Sequence, residues 1–314
     1  AAAAAAAPVR VVPMAAPLRA LRPGITLATH MDKSRVATMM AELPKLWRGP
    51  IVMAVFVRTL AEVTHVHNVI SHHPQRARVT HSIYHYNYER NYTQYPINVM
   101  RNHALHLVDT ELVALLDGDF VPDAGVYDYF TASDARYEAL AERAAQREAF
   151  VLPCFFQAQR FRERPRNKTA LLAELNGWIG EPHDPPNRPH HGVTDYARWR
   201  TATSEYAVRY RFFYEPYLVL SMRHTPWWDE RFVYYGFDKV VHVYTLARLG
   251  YRFTVLPDSF VIHIPHPRDK WYTSGDTGER ASSSELLKDL VDLVVLDEWG
   301  DSSLRGWREL PDEE

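Results

Sequence analysis

The sequence predicts an α/β protein in which helices flank a mostly parallel sheet. Short apolar segments alternate with segments of helical spacing as far as about residue 120, which is typical of a layered strand–helix–strand architecture. The run at 51–57 is apolar throughout, as expected for a strand buried on both faces of a parallel sheet. We therefore expect a Rossmann-like mixed sheet in a single domain.

The predicted elements follow one another along the chain. The first strand covers residues 25–30, and Asp32 or Ser34 caps a helix through residues 39–43. Further strands are predicted at 51–57, 79–86, 112–116, 150–156, 217–222 and 259–264, and helices at 97–107, 127–148 and 237–249. Residues 160–200 carry little periodicity and form a long excursion of the kind that serves as a lid or binding loop.

Three regions are expected from the composition along the chain. Residues 1–22 form a flexible Ala/Pro-rich leader, and residues 23–275 form the folded domain. Residues 276–314 form a helical tail, with an acidic amphipathic helix at 283–297.

Charge and cysteine content exclude some classes of protein. The chain has 36 basic and 38 acidic side chains, so a net charge of −2 gives no electrostatic reason to expect a nucleic-acid partner. Its single cysteine, Cys154, excludes an intrachain disulfide and a Cys-type zinc site. The alanine tract at 1–7 is a poor signal peptide. We therefore expect either a soluble native protein or a native protein with a membrane anchor upstream of this sequence. Two glycosylation triplets, at Asn91 and Asn167, mildly favour a secretory origin.

A pair of aspartates follows a predicted buried strand. Asp117 and Asp119 flank Gly118 directly after the apolar residues 112–116. Ligands of open α/β sheets bind beyond the carboxyl ends of strands, and carboxylates there suit Mg²⁺ or Mn²⁺. Gly118 would let a ligand approach the backbone closely. The alternative is a solvated turn, but the preceding strand favours a metal site. No glycine-rich dinucleotide or Walker-type fingerprint is present.

Two other segments carry candidate functional residues. His263 lies near the end of a predicted strand, where it is either a metal ligand or an ordinary histidine. Asp238 begins a predicted helix, where it is either a general base or an acid that stabilises the helix N-terminus. The histidine pairs of the chain are interpreted as surface features, namely His65/His67, His72/His73 and His190/His191.

Several ordered segments resemble glycosyltransferase family 49, which includes relatives of the second catalytic domain of the LARGE enzymes and the glucuronyltransferase that primes dystroglycan glycans. The resemblance extends over about residues 25–270. It rests on the segments 46–51, 95–102, 116–122, 191–199, 214–217, 229–232, 255–257 and 263–266. It implies a GT-A fold, a catalytic domain at 23–275, a UDP-sugar donor, Mn²⁺ with Mg²⁺ as the alternative, and inversion at the anomeric carbon.

The resemblance also implies roles for particular residues. Asp117 and Asp119 would hold the metal, and His263 would complete its shell with His266 as the alternative. The nucleotide and phosphates would be bound by Thr29, His30, Arg35, Arg101, Gly118 and Lys270. The family usually has Asn at the position of Asp238, so Asp229 and Glu230 are alternatives as the base. It also usually has Val or Ile at the position of Gly118.

The resulting prediction is a metal-dependent glycosyltransferase, with glucuronic acid as the family-level donor and a glycan or glycoprotein as the acceptor. The native protein would act in the Golgi lumen if an anchor preceded this sequence. Two alternatives remain at this point: a nucleotidyl- or phosphoryl-transferring enzyme with an Asp-x-Asp site, and a catalytically degenerate glycan-binding protein. The sequence leaves open the donor sugar, the acceptor, the linkage, the base and the oligomeric state.

Overall fold

A fully apolar strand lies inside the main sheet of the protein. A computed structural model of the chain describes residues 20–85, 95–158, 163–184, 190–232 and 237–266. All seven residues of β2 (Ile51–Val57) are buried. It pairs in parallel with β1 (Arg22–Asp32) and with β3 (Val79–His85). The continuous apolar run thus occupies the position predicted for it, with a strand on each side and helices over the faces.

The larger sheet consists of a parallel half and a mixed half, in which β6 and β11 pair in parallel and the other pairs are antiparallel; this second half is called the antiparallel half below. Its eight strands within the described ranges have the order β3-β2-β1-β4-β10-β6-β11-β9. Strands β3, β2, β1 and β4 form the parallel half, and β10 runs antiparallel to both β4 and β6. The further strands of this sheet are β4 (Thr110–Asp117), β6 (Glu148–Leu152), β9 (Tyr206–Val208), β10 (Tyr217–Ser221) and β11 (Arg252–Val255).

A smaller sheet stands beyond the end of β4. Its order is β5-β12-β7-β8, and its members are β5 (Phe120–Pro122), β7 (Cys154–Gln157), β8 (Ile179–Gly180) and β12 (Val261–His263). The chain passes from β4 to β5 through two residues only, Gly118 and Asp119. In the register of this sheet, His263 is opposite Phe120 and Phe156. Because β5 and β12 are paired, a histidine far along the chain is brought next to the Asp-Gly-Asp segment.

Eight helices lie within the described part of the chain. They are α1 (Val36–Leu46), α2 (Leu60–Ser71), α3 (Ile97–Leu107), α4 (Val126–Thr131), α5 (Asp134–Ala145), α6 (Lys168–Glu174), α7 (Tyr196–Thr201) and α8 (Asp238–Arg248). Helix α3 packs against β1 and β2 and carries a buried arginine, Arg101, behind the end of β4. Helix α8 begins with the adjacent residues Asp238 and Lys239. These two helices therefore bring charged side chains into the interior next to the end of the parallel half.

The predicted α/β fold class with a mixed sheet is confirmed, and some boundaries need correction. The helix predicted at 127–148 is two helices, because the Ser133 side chain accepts the Arg136 N–H and starts α5 anew. The strand predicted at 150–156 is divided between the two sheets at Pro153, which has no N–H for a ladder. The excursion predicted at 160–200 contains α6, β8 and α7.

The predicted ends of the folded domain are only partly covered by the structure. Arg22 falls within the predicted leader, but it is the first residue of β1. The predicted tail at 276–314 and its helix lie outside the described residues, so both stay predictions.

Candidate active site

The two aspartates lie where β4 meets the ends of β1 and the smaller sheet. Asp117 is the last residue of β4 and is opposite His30 in the register of β1. A Cβ atom on Gly118 would lie 2.4 Å from the His30 carbonyl oxygen and 2.6 Å from Cβ of Met31. The close approach that requires glycine here is thus made by the chain itself, since β1 passes directly against the turn. Binding of a ligand at Gly118 stays a prediction.

Each of the two carboxylate oxygens of Asp117 has two polar partners. Oδ1 accepts from Arg101 Nη2 at 3.0 Å and from His30 Nε2 at 3.1 Å. Oδ2 accepts from the Tyr217 hydroxyl and lies near Lys239 Nζ, both at 2.9 Å. Burial raises the pKa of Asp117, but the positive charges of Lys239 and Arg101 outweigh it and hold this pKa well below its usual range. Asp117 is therefore an ionised anchor for two cations, Arg101 and Lys239.

His30 supports Asp117 as a neutral donor. Burial lowers the pKa of His30, so its ring carries one proton. A carboxylate can only accept, so that proton is on Nε2, which faces Asp117. Nδ1 then accepts from the Tyr95 hydroxyl at 2.8 Å. The order Tyr95–His30–Asp117 fixes the orientation of the ring without adding a charge.

Asp119 is the centre of a different cluster. Its Oδ2 lies 3.2 Å from His266 Nε2 and 3.4 Å from His263 Nε2. One ligand atom of each of these three residues lies within 4.8 Å of the others, which is the spacing of a metal site. Burial raises the pKa of Asp119, and the two histidines outweigh it and lower this pKa below its usual value.

The donor set of this cluster fits a divalent cation. The other carboxylate oxygen of Asp119, Oδ1, is buried and has no hydrogen-bond partner among the described residues. A buried oxygen without a donor is costly unless something positive satisfies it. One carboxylate and two imidazoles suit a first-row divalent metal such as Mn²⁺ and leave coordination positions for oxygen atoms of a ligand. Asp117, which was predicted as a second ligand, is not part of this cluster.

Arg35 determines which ring nitrogen of His266 carries the proton. Its Nη1 lies 3.7 Å from Asp119 Oδ2, and its Nη2 lies 3.1 Å from His266 Nδ1. A guanidinium can only donate, so Nδ1 of His266 is an acceptor and the ring proton is on Nε2, toward Asp119. For His266 Nε2 to bind a metal, Arg35 must leave Nδ1. His263 has no such restraint from Arg35.

The residues predicted to bind the nucleotide differ in accessibility. Thr29, His30 and Arg101 are 0%, 4% and 1% exposed, so they lie behind the surface that a nucleotide would contact. The Arg35 side chain is 16% exposed beside Asp119. Lys270 lies outside the described residues. Of the described residues in this prediction other than Gly118, only Arg35 reaches the surface next to the metal cluster.

Each of the three carboxylates predicted as base is held in an interaction. Asp238 is 6% exposed, and its Oδ2 accepts from Arg101 Nη1 at 2.5 Å. Both carboxylate oxygens of Asp229 accept from the Arg231 side chain two residues later. Glu230 accepts from the Asn102 amide at 2.9 Å. Asp238 thus serves, with Asp117, to neutralise the buried guanidinium of Arg101.

Arg101 is also enclosed by aromatic rings. Its guanidinium carbon lies 4.2 Å from the centre of the Trp228 ring, and the Trp228 ring in turn stacks on His242 at 3.8 Å. Burial, with Arg101 next to it, lowers the pKa of His242 to about 3, so this imidazole adds no charge. Below Asp117 lies a cavity of about 30 Å³ whose lining includes Trp228 and Lys239. This volume is sufficient for about one or two water molecules and not for a substrate.

Sequence reasoning missed several residues of this region. Lys239 and Tyr217 hold Asp117, and Phe156 is a 37% exposed ring whose centre lies 5.4 Å from that of His263. The pair His190/His191, interpreted as a surface feature, is half-buried: His190 Nδ1 lies 3.0 Å from Glu215 Oε1, and His191 lies near Cys154. The signal that could have revealed the contact of His190 is the position of Glu215, an acidic residue two positions before β10, at the edge where Asp117 ends β4.

Comparison with known proteins assigns the chain to a family. The family described as glycosyl-transferase for dystroglycan, glycosyltransferase family 49, matches residues 71–271. The chain belongs to this family. The resemblance predicted from the separated segments is thus confirmed, and the family favours sugar transfer over the nucleotidyl- or phosphoryl-transfer alternative.

Two curated relatives are longer proteins, and this chain covers only part of each. Glycosyltransferase-like protein gnt14 of Dictyostelium discoideum is 34% identical over 270 residues, which are 85% of this chain and 41% of that protein. Human xylosyl- and glucuronyltransferase LARGE2 is 36% identical over 246 residues, which are 77% of this chain and 33% of that protein. The chain therefore spans well under half the length of these relatives.

A solved structure, GalNAc-T7 with UDP, GalNAc and Mn²⁺, matches at a TM-score of 0.48 and 11% identity, over 84% of this chain and 48% of that one. At this level the likeness says nothing about ligands. Within the described ranges, no helix combines the length and hydrophobicity needed to cross a membrane. The Golgi location stays a prediction.

Proposed function

We propose that this family member is a metal-dependent glycosyltransferase that moves a sugar from a UDP-sugar to a hydroxyl of a glycan acceptor, with inversion at the anomeric carbon. The observation that carries the proposal is the Asp119–His263–His266 cluster. Oδ1 of Asp119 is buried, has no hydrogen-bond partner in the part of the chain that the structure describes, and lies at the carboxyl edge of the parallel half, where α/β sheets bind ligands.

The metal-binding residues are Asp119 and His263, with His266 joining when Arg35 leaves its Nδ1. A bound Mn²⁺, with Mg²⁺ as the alternative, would stabilise the negative charge that develops on the UDP leaving group. Arg35, which is partly exposed beside Asp119, is suited to donate to diphosphate oxygens. Asp117 then acts as a positioning residue, since it holds Arg101 and Lys239 in place behind the turn.

One relative suggests which donors to test. Human LARGE2 is named for xylosyl and glucuronyl transfer, so UDP-glucuronic acid and UDP-xylose are the first donors to test. The other UDP-sugars to include are UDP-galactose and UDP-N-acetylglucosamine. The partly exposed Phe156 ring beside His263 offers a flat apolar surface of the kind on which sugar rings pack.

The test is a screen for UDP release from each UDP-sugar with a panel of aryl glycosides as acceptors. We expect release with one donor and acceptor pair, loss of release after metal removal with EDTA, and recovery with added Mn²⁺. Asp119→Asn should abolish release while the protein stays folded, and Asp109→Asn, which changes an exposed carboxylate in a surface ion pair, should not affect it. Metal-independent release, or normal turnover by Asp119→Asn, would show that the metal assignment is wrong.

A further inference from the structure

Glu215 enters the site from the antiparallel half of the sheet. It lies two residues before β10, which runs antiparallel to β4 with Leu218 opposite Leu115. Continuing this register brings Glu215 opposite Gly118, between the two aspartates. Glu215 thus reaches the same sheet edge as the metal cluster, but from the strand on the other side of β4 from β1.

One oxygen of the Glu215 carboxylate is held and the other is open. Oε1 lies 3.0 Å from His190 Nδ1, and the Glu215 N–H donates to the His190 carbonyl at 2.7 Å, so two contacts fix the position of this residue. Oε2 has no hydrogen-bond partner among the described residues. The side chain is 22% exposed. A carboxylate that is oriented at one oxygen and accessible at the other is arranged to accept a proton from a ligand.

Glu215 is also within electrostatic reach of the Asp117 anchor. Burial lowers the pKa of Lys239, but the negative charges of Asp117 and then of Glu215 outweigh it and raise this pKa above its ordinary value. Lys239 Nζ lies 2.9 Å from Asp117 Oδ2. Glu215 and Asp117 therefore both act electrostatically on Lys239, which places the Glu215 carboxylate near the Asp117 anchor.

We propose that Glu215 is the general base of the transfer reaction. This rests on the proposed function, because it assigns a residue to a step of that reaction. In an inverting displacement the acceptor oxygen attacks the anomeric carbon from the side opposite the leaving diphosphate, so the base and the metal ligands must face the sugar from different sides. The smaller sheet and the end of the parallel half supply the metal ligands, and the antiparallel half supplies Glu215.

The step balances without any further reactant. The acceptor hydroxyl gives its proton to Glu215 Oε2 while its oxygen forms a bond to the anomeric carbon. The bond between that carbon and the β-phosphate oxygen breaks, and its electron pair leaves with UDP. His190 is a positioning residue, since it holds Oε1 and leaves Oε2 directed at the acceptor.

The test compares Glu215→Gln with a matched control. Glu181 has the same side-chain exposure of 22% and also pairs with a basic side chain, Arg200, so Glu181→Gln removes an equivalent charge elsewhere. Using the donor and acceptor pair from the screen, we expect kcat for Glu215→Gln to fall by about 10²–10⁴-fold. UDP affinity in Mn²⁺, measured by calorimetry, should change less than about twofold. Glu181→Gln should match the wild type in both measurements.

Two further readouts separate a base from a structural residue. Glu215→Asp keeps the carboxylate, so it should recover part of the activity that Glu215→Gln loses. The shape of the kcat–pH profile should also differ between Glu215→Gln and the wild type, because the variant lacks one of the groups that exchange a proton in the reaction. Activity of Glu215→Gln within about threefold of wild type, or an equal loss of UDP affinity and kcat, would overturn the assignment. If the wild-type chain binds UDP and Mn²⁺ but transfers to no acceptor, the proposed function itself fails, and the base assignment with it.

Discussion

Asp117 and Asp119 are two residues apart, yet their surroundings are opposite in character. Asp117 has four partners, two of which are cations brought in by α3 and α8. Asp119 has two histidines and a more distant arginine at one oxygen, and no hydrogen-bond partner within the described residues at the other. The two aspartates of an Asp-x-Asp segment can thus have different partners: Asp117 pairs with two cations, and under the proposed function Asp119 alone of the two binds the metal.

The largest expected difference between the two is in metal binding. Asp119→Asn should weaken Mn²⁺ binding by more than the roughly 10–100-fold that loss of a residue supporting a ligand costs, since it removes a ligand itself. Asp117→Asn should change Mn²⁺ affinity by less than that range, because Asp117 acts through Arg101 and Lys239 and not on the metal. Calorimetric titration of Mn²⁺ into each protein, without UDP, measures both.

The result that would contradict this division is an equal loss of Mn²⁺ affinity in the two variants. In that case Asp117 would have to leave its partners and join the metal, as the sequence predicts. Circular dichroism of both variants before titration excludes unfolding as the reason for a loss.

The next largest expected effect is on stability, where substitution of Asp117 should cost more than substitution of Asp119. Asp117→Asn leaves Lys239 without its closest counter-charge and Arg101 with Asp238 as its one remaining carboxylate partner, inside a buried network. Breaking such a pair typically costs about 3–5 kcal/mol, because the remaining charge stays buried. The free energy of unfolding in urea should therefore fall by about 3 kcal/mol in Asp117→Asn. In Asp119→Asn it should fall by less.

Asp109→Asn is the control for this measurement. Asp109 pairs with Arg22, but their side chains are 47% and 52% exposed, so the loss should stay below about 1 kcal/mol. An Asp117→Asn protein that unfolds at the wild-type urea concentration would show that the interior cations do not depend on this carboxylate.

Much of this arrangement could be predicted from local sequence, and the part that could not depends on contacts between distant segments. The apolar run of β2 identified a buried parallel strand, and Asp117 and Asp119 were found because they follow one. The local pattern places His263 near the end of its strand, but only the resemblance to the family implies that it is a metal ligand. What no local pattern reveals is that α3 and α8 supply the partners of Asp117, since Arg101 and Lys239 are far apart along the chain.

Contacts between distant segments also explain why the sequence predicts other roles for Asp238 and His190 than the structure shows. Asp238 at a helix start has the local features of an available acid, but it faces Arg101, which belongs to another helix. His190 next to His191 has the local features of a surface pair, and only the fold brings it to Glu215. Pro153 is an exception, because it marks the division between β6 and β7 in the sequence itself.

The smallest expected effect concerns the turn between the two aspartates. In Gly118→Ala the new Cβ would lie 2.4 Å from the His30 carbonyl oxygen, which is backbone and cannot rotate away. The strand ends must then separate, and overpacking of this kind costs about 1–3 kcal/mol. Since His30 is hydrogen-bonded to Asp117, the contacts of Asp117 should be disturbed before those of Asp119.

Gly180→Ala is the matched control, because its Cβ would meet nothing closer than 4.0 Å. We therefore expect urea unfolding to show a loss for Gly118→Ala only, with Mn²⁺ affinity reduced less than in Asp119→Asn. A Gly118→Ala protein as stable as the wild type would show that β1 and the turn can separate without loss of stability.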